Sequence, residues 1–202
     1  MTQVAGRPLR ADARRNRERV LKAAREVFAE QGQEAQIDDV ARRAMVGVGT
    51  VYRHFPTKEA LLDALALDAF ERILAVAAEQ LARDGDPWEA FSHVVSTGAE
   101  VLAGDRALSE VMAEMRGPLH VDETLQRRMT ETMTTLMERA QAAGALRADV
   151  ILDDVVMVMC GIGTATRKPH ICPEAWRRHV AIVLDGMRAS NAVTELPAHP
   201  CS

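Results

Sequence analysis

Residues 41–62, ARRAMVGVGTVYRHFPTKEALL, constrain the fold more than any other stretch of the chain. They predict a short helix, a tight turn, a second short helix, a Pro break and the start of a long helix. A small apolar set in and beside this segment can pack together: Val40, Ala41, Ala44, Val46, Val51 and Phe55. The second short helix then keeps an open, hydrogen-bonding face. This arrangement is typical of a helix-turn-helix that enters the DNA major groove.

The charge of the chain is divided between its two ends. Residues 1–58 hold 12 Lys/Arg against 7 Asp/Glu, or +5, whereas the remaining residues hold 13 against 22, or −9. A basic segment joined to an acidic remainder is typical of a nucleic-acid-binding domain linked to a module of another kind. It disfavours a purely architectural DNA-binding protein, which we expect to be basic throughout.

The rest of the 202-residue chain predicts helices and no persistent strand alternation. We expect an all-α fold of about nine helices. Their approximate bounds are 11–31, 37–44, 48–54, 58–82, 87–103, 104–115, 122–143, 149–167 and 173–189. Residues 1–9 contain Gly6 and Pro8 and are expected to form a loose arm.

Several classes of protein are disfavoured by what the chain contains. No apolar run reaches the roughly 18 residues of a membrane span, so we expect no membrane contact and a cytoplasmic location. The cysteines at 160, 172 and 201 have neither metal-ligand spacing nor a disulfide pattern. No catalytic spacing is visible either, so we expect no metal, no cofactor and no enzyme activity. A helical enzyme fused to a DNA-binding head is the alternative of another class.

The second short helix and the residue that opens the next one carry the groups expected to contact DNA. Phosphate contacts supply most of the affinity of such a protein, and base-edge contacts supply its sequence specificity. Tyr52 and His54 can bond to phosphate oxygens of the DNA backbone. Lys58 lies at a helix N-terminus, where its charge and the helix dipole favour the same phosphate group. Thr50 can donate to a phosphate or touch a thymine methyl. Arg53 is the candidate for guanine O6 and N7, with a phosphate contact as the alternative.

The start of this helix and the N-terminal arm complete the expected DNA contacts. Val48 offers only an apolar surface, and Gly47 and Gly49 let the backbone approach closely. Arg10 and Arg14 can reach along the flanking phosphates or into the minor groove. A solvated charge run is the alternative interpretation of the arm.

Four motifs, RERVLKAAREVFAEQG, IDDVARRA, VGVGTVYRHF and TKEALL, resemble in order and spacing the tetracycline-repressor (TetR) family of bacterial regulators. The resemblance covers residues 14–62, and beyond them only the layout and lengths of the helices agree. Met45 stands at the turn position where the family usually has Gly. Gln36 and Gly47 stand at cap positions where Ser and Thr are usual, which removes a hydroxyl that often contacts phosphate. Both positions stay among the candidate DNA contacts.

The resemblance implies a homodimer that binds double-stranded operator DNA of near-palindromic sequence. It also implies repression that is relieved when a small-molecule inducer enters the helical body. We therefore expect a helix-turn-helix domain with its basic arm at 1–56, a ligand-binding and dimerisation domain at 57–190, and a flexible tail at 191–202. A related regulator that activates, or that responds to no small molecule, is the alternative.

Methionine content suggests the character of the inducer. Eight of the ten methionines lie in residues 112–187, and methionine suits an adaptable apolar pocket, so a lipophilic ligand is expected. The candidate pocket residues are His93, Thr97, Met112, Met115, Arg116, Met133 and Met157. Ordinary packing in the core is the alternative for these residues.

The last two predicted helices are apolar over more of their surface than one internal face requires. By resemblance, they pair with their mates across a two-fold axis as a four-helix bundle. The candidate interface residues are Leu152, Val156, Met159, Trp176, Val180, Val183, Leu184 and Met187.

Overall fold

The computed structural model describes residues 7–104, 123–166, 170–172 and 174–198. Within these ranges the chain forms eight α-helices and no β-strand, apart from one isolated bridge between Leu146 and Arg188. The helices are α1 (Arg7–Gln31), α2 (Ile37–Ala44), α3 (Val48–His54), α4 (Lys58–Ala82), α5 (Pro87–Gly104), α6 (Glu123–Ala142), α7 (Leu152–Ala165) and α8 (Ala175–Met187). None of these described helices is long and apolar enough to cross a membrane. The predicted all-α fold is confirmed.

The predicted bounds of α2, α3 and α4 coincide with those of the structure. Local capping chemistry explains why such ends can be predicted. Thr57 Oγ1 accepts the N–H of Ala60 at 3.1 Å and closes the first turn of α4. Asp86 Oδ1 does the same for α5, since it accepts the N–H groups of Trp88 and Glu89 at 2.8 and 3.0 Å.

The N-terminal end of α1 differs from the prediction. The helix begins at Arg7, whereas we expected a loose arm over 1–9 and a helix from Ala11. Pro8 does not prevent this, because the first turn of a helix needs no N–H donor from a proline. The helix predicted over 104–115 lies outside the described residues, as do the first six residues.

Among the described residues, the first of two compact units reaches Asp68, within α4. Helices α1, α2 and α3 share one apolar core with the first turns of α4. Leu61 and Leu65 are fully buried in that core. The sequence places the domain boundary at residues 56 and 57, because Pro56 interrupts the helices. The packing of this unit nevertheless continues past the interruption.

The second unit contains Ala69–Gly104 and the described residues beyond 122, and α5 lies at its centre. Helix α5 contacts α6, α7 and α8, and its Phe91 is fully buried. A Cβ placed on Gly98 would lie 3.5 Å from Met159 Sδ, so this glycine marks a close approach of α5 and α7.

The C-terminal tail is attached to the turn that precedes α7. Arg147 Nε and Nη2 donate to the two carboxylate oxygens of Asp149 at 2.9 and 2.8 Å, and Nη2 also donates to the Thr194 carbonyl at 2.6 Å. The N–H of Leu196 donates to the same carboxylate at 3.0 Å. These bonds attach the described part of the tail at Thr194 and Leu196, and the flexibility expected over 191–202 stays a prediction.

The same turn determines where α7 begins. The helix starts at Leu152 rather than near Asp149, because Asp149 is engaged by Arg147. Asp154 takes over at the helix start, where its Oδ2 accepts the N–H of Ile151 at 2.9 Å. A carboxylate in the first turn also interacts favourably with the helix dipole.

Candidate nucleic-acid interface

The turn between α2 and α3 sets the direction of α3. Met45 has φ 54° and ψ 46°, the left-handed region that favours glycine. Its N–H donates to the Arg42 carbonyl at 3.1 Å, and the N–H of Val46 donates to the Ala41 carbonyl at 3.0 Å. This pair of bonds forms a Schellman motif, and Val46 packs against the core, as the residue at that position of the motif often does. Met45 therefore makes the turn that a glycine makes with less strain.

Arg19 of α1 holds the end of α2 in place. Its Nη2 donates to the Ala44 carbonyl at 2.7 Å and lies 3.4 Å from the Met45 carbonyl oxygen. A cation at a helix C-terminus also interacts favourably with the helix dipole. The sequence does not indicate this contact, because the spacing of the arginines in α1 does not tell which one faces α2.

Arg43 forms a second link between α2 and α1. Its guanidinium donates to Glu30 at 3.0 and 2.7 Å and to Glu26 at 3.3 Å. The hydrogen bond from Arg43 holds the pKa of Glu30 below its ordinary value, and the bond to Glu30, followed by that to Glu26, raises the pKa of Arg43. Helix α2 is thus held on α1 at its outer face as well as at its end, and it offers α3 a fixed support.

Helix α3 turns one side into the core and the opposite side outward. Val51 is fully buried, whereas Val48 and Tyr52 are 37% and 47% exposed. The predicted contacts on and before this helix are all exposed or half-buried: Gly47, Val48, Gly49, Thr50, Tyr52, Arg53 and His54. A helix is about 10–12 Å wide and the major groove of B-DNA about 12 Å wide, so this outward side can enter the groove.

Arg53 lies folded along its own helix. Its Nε donates to the Gly49 carbonyl at 3.1 Å, and its Nη2 donates to Thr50 Oγ1 at 3.2 Å. These bonds hold the guanidinium beside the outward side of α3. Both interpretations of Arg53, as a guanine reader and as a phosphate contact, are compatible with this position.

Two basic side chains lie over aromatic rings beside α3. Lys58 Nζ is 5.6 Å from the centroid of the Phe28 ring, and the Arg17 guanidinium carbon is 5.7 Å from that of Phe55. Lys58 is also the first residue of α4, where the backbone N–H groups favour an anion. The sequence predicts this role for Lys58, whereas the position of Arg17 depends on how α1 packs against Phe55.

Gln36 and Gly47 occupy the N-cap positions of α2 and α3. Among the described contacts, neither Gln36 nor Gly47 caps its helix with a side chain. Gln36 Nε2 instead donates to the Glu34 carbonyl at 2.9 Å. The departure from the usual hydroxyl caps therefore persists in the folded chain.

The two candidate DNA contacts near the N-terminus, Arg10 and Arg14, both lie on α1. Arg14 is exposed, and its Nε lies 3.6 Å from Glu18. Arg10 lies within α1, while its side chain is outside the description. A contact of either residue with DNA stays a prediction.

The predicted ligand-binding residues fall into three groups. Thr97 and Met133 are half-buried, and Met133 packs against two clusters of the core. Met112, Met115 and Arg116 lie outside the described residues. His93 is exposed and Met157 is 72% exposed, so these two side chains do not face the core, and their contact with a ligand stays a prediction. The helical spacing identified their helices but not the side of the helix that faces the core.

The predicted dimer-interface residues differ in how far the single chain already covers them. Val180 and Met187 are only 4% and 7% exposed in the single chain, because the apolar stripe of α8 packs into the core of its own unit. The half-buried members of the set pack there as well: Leu152, Met159, Trp176, Val183 and Leu184. Val156 is the most exposed member of the set, at 48%, and the interface as a whole stays a prediction. Ile182 on α8, which the sequence pattern does not single out, is 58% exposed.

Family models match both halves of the chain. Residues 20–65 match the model described as bacterial regulatory proteins of the tetR family. Residues 86–189 match the model described as the C-terminal domain of SbtR-like transcriptional regulators. The first match contains the whole α2–turn–α3 arrangement, and the second runs from the start of α5 to just beyond α8.

Curated relatives and solved structures agree with these matches. The chain is 34% identical over 147 residues to the HTH-type transcriptional regulator UidR of Escherichia coli. The aligned residues cover 70% of this chain and 74% of that protein. It is 31% identical over 164 residues to the HTH-type transcriptional repressor KstR of Rhodococcus jostii, covering 74% and 76%. A TetR regulator from Mycobacterium vanbaalenii has a similar structure, with a TM-score of 0.66, 37% identity, and coverage of 90% of this chain and 99% of that one.

Proposed function

The chain belongs to the TetR family of bacterial regulatory proteins and is a transcriptional regulator, and we propose that it represses transcription until a small molecule releases it from DNA. In this proposal a homodimer binds a near-palindromic operator through α3 and the residues beside it. It acts in the cytoplasm, where bacterial promoters lie. The name of the relative KstR, a repressor, supports repression over activation.

The outward side of α3 is the observation that carries the proposal. It combines exposed Val48, Tyr52 and Arg53 with a buried Val51, and α1 holds the supporting helix through Arg19 and Arg43. A short helix that is fixed behind and exposed in front can enter the major groove without losing its core contacts. The net charge of +5 on residues 1–58 favours association with the phosphate backbone.

Selection from a randomised duplex library tests operator binding. We expect the bound duplexes to share two inverted half-sites about 10 base pairs, or slightly more, from centre to centre, because a two-fold dimer matches a two-fold site. Hydroxyl-radical footprinting on a selected duplex should protect both half-sites equally. Protection of a single half-site, or selection of no consensus, would contradict the proposal.

Dimerisation is proposed through the outer sides of α7 and α8. Val156, Met157 and Ile182 are large apolar side chains that stay 48%, 72% and 58% exposed in the single chain. A second copy placed over them would remove this apolar area from water. Val156 belongs to the predicted interface set, and the half-buried members of that set keep part of their surface exposed for the same partner.

The inducer is proposed to bind within the second unit, near α5 and α6. Thr97 and Met133 are the half-buried predicted residues on these two helices. Methionines at 129, 133 and 137 lie on one side of α6 and supply a polarisable lining. A lipophilic molecule fits this chemistry best.

A further inference from the structure

Two glycines flank Val48 at the start of α3, and the described part of the chain does not require either of them. A Cβ on Gly49 would meet no heavy atom of this part within 4 Å, and one on Gly47 would meet only Thr50 Oγ1, at 3.9 Å. Gly47 has φ −66°, a value that any residue adopts. Since glycine is less favourable than alanine inside a helix, the absent side chain at Gly49 weakens α3 without a gain in packing.

The position of Gly49 indicates what the vacant space serves. Successive helical residues are rotated by about 100°, so Val48, Tyr52, Gly49 and Arg53 follow one another round an arc of about 140°. All four are exposed, while Val51 on the other side is fully buried. Gly49 thus lies inside the outward arc rather than at its edge. The missing side chain leaves a shallow depression in the middle of this exposed surface, where another molecule can approach the helix backbone.

Val48 is the exposed apolar side chain next to this depression at Gly49. Its two methyl groups cannot form hydrogen bonds, and it is 37% exposed. Thr50, in the same turn, is half-buried, and its hydroxyl accepts a bond from Arg53. The apolar group that base edges present in the major groove is the C5 methyl of thymine.

We infer that Val48 reads the C5 methyl group of one thymine in each half-site, and that Gly47 and Gly49 provide the room for this contact. The inference rests on the proposed binding of operator DNA and adds the chemistry of its recognition. It assigns base discrimination at the N-terminal end of α3 to an apolar contact, whereas Arg53 acts one turn further along.

Deoxyuridine substitution tests the contact at the level of one methyl group. A duplex selected from a randomised library by the wild-type protein is resynthesised with each thymidine replaced in turn by deoxyuridine, which keeps the same hydrogen-bonding groups. At one position per half-site we expect the dissociation constant to rise roughly fourfold, the effect of one buried methyl group. The Val48→Ala protein should bind the thymidine duplex and the duplex with deoxyuridine at that position equally. Thr50→Ser, which removes the other methyl group of this turn, should keep the fourfold difference.

Gly49→Ala tests the vacant space. The variant should be at least as resistant to heat as the wild type, yet bind the selected duplex about fivefold or more weakly, because the added methyl group overpacks the contact. Gly85→Ala is the matched control, since a Cβ there also meets nothing within 4 Å of the described chain and Gly85 lies in the loop before α5. It should leave operator affinity unchanged.

Three results would overturn the inference. They are a selected duplex in which no deoxyuridine weakens binding, a fourfold difference that persists in Val48→Ala, and a Gly49→Ala protein that binds as tightly as the wild type. Failure of the wild type to select any duplex would overturn the proposed operator binding itself, and this inference with it.

Discussion

At the scale of single residues, Met45 carries a backbone strain that its side chain does not offset. It has φ 54°, it is 81% exposed, and among the described residues it alone combines a positive φ with a side chain. A left-handed conformation costs an L residue about 1–2 kcal/mol. The hydrogen bonds of the turn involve only the backbone atoms of Met45, so they do not depend on its side chain.

Met45→Gly should therefore stabilise the protein by about 1 kcal/mol. Urea unfolding should show a higher midpoint with an unchanged slope. Met45→Ala is the control, since it keeps the Cβ and should change the midpoint little. A glycine variant that unfolds at a lower urea concentration than the wild type would show that the side chain has a stabilising contact.

Lys58 and Arg53 differ in the kind of DNA contact that we expect. Lys58→Ala should weaken binding to all sequences and reduce the slope of log K against log salt by about one, because one phosphate contact is lost. Arg53→Ala should relax the preference at one base pair by about 1–3 kcal/mol if Arg53 reads guanine. Binding titrations on the selected duplex and its single-base variants, each at several salt concentrations, measure both effects. Equal losses on all sequences from both variants would make Arg53 a phosphate contact.

At the scale of elements, the turn before α7 and the C-terminal tail depend on one charged pair. Arg147 is only 8% exposed, and its guanidinium joins Asp149 to the Thr194 carbonyl. Hydrogen bonds from Arg147 and from the N–H of Leu196 hold the pKa of Asp149 well below its ordinary value. The folded chain thus favours the ionised carboxylate more strongly than the unfolded chain does.

The direction of this pKa shift predicts that the second unit loses stability in acid. A carboxylate whose pKa is depressed by folding adds stability at pH values above its unfolded pKa of about 3.9, and this stability is lost as the pH falls below that value. Asp149→Asn should lower the melting temperature at pH 7. The difference in melting temperature between the wild type and this variant should be smaller near pH 3 than at pH 7. A difference that does not change between these pH values would exclude the charged pair as the cause.

The exposed apolar side chains of α7 and α8 lead to a second prediction at this scale. Val156→Glu and Ile182→Glu should each give a folded monomer, because the charge falls on an exposed surface that only a second copy buries. Val180→Glu should instead unfold the second unit, since Val180 is 4% exposed within its own chain. Light scattering and far-ultraviolet circular dichroism distinguish these outcomes.

Val193→Glu is the control for the dimer surface, because Val193 is 91% exposed in the tail and should tolerate the charge in an unchanged dimer. If the wild type is itself a folded monomer at micromolar concentration, or if Val156→Glu and Ile182→Glu both stay dimeric, the proposed surface is wrong.

At the scale of the whole molecule, induction requires that the DNA-binding and ligand-binding units influence each other. Such coupling is typically about 1–3 kcal/mol and acts equally in both directions. Once a lipophilic ligand is found by a thermal-shift screen, its affinity should fall about 5- to 150-fold when the protein is saturated with the selected duplex. Calorimetric titrations with the selected duplex and with a scrambled duplex measure the difference. Equal ligand affinities in both would mean that the ligand does not control DNA binding.

Local chemistry explains which elements the sequence could predict. The motifs around α2 and α3, the Pro56 break and the caps Thr57 and Asp86 act within a few residues, so the bounds of these elements follow from the chain alone. The exposed side of α3 could also be predicted, because Val51 and Phe55 must meet the same small core. The family followed from the same four motifs.

Only the tertiary structure decided which side of each body helix faces outward. The spacing of Val180, Val183 and Met187 marks an apolar stripe, but it does not tell whether the chain's own core or a second copy covers it. The partners of Arg19, Arg43 and Arg147 were equally undetermined, because each contact joins residues from elements whose packing fixes their distance. The sequence by itself thus determined the helices, the DNA-binding motif and the family, since these depend on short-range patterns. Long-range packing decided which apolar residues are core and which remain available for a partner.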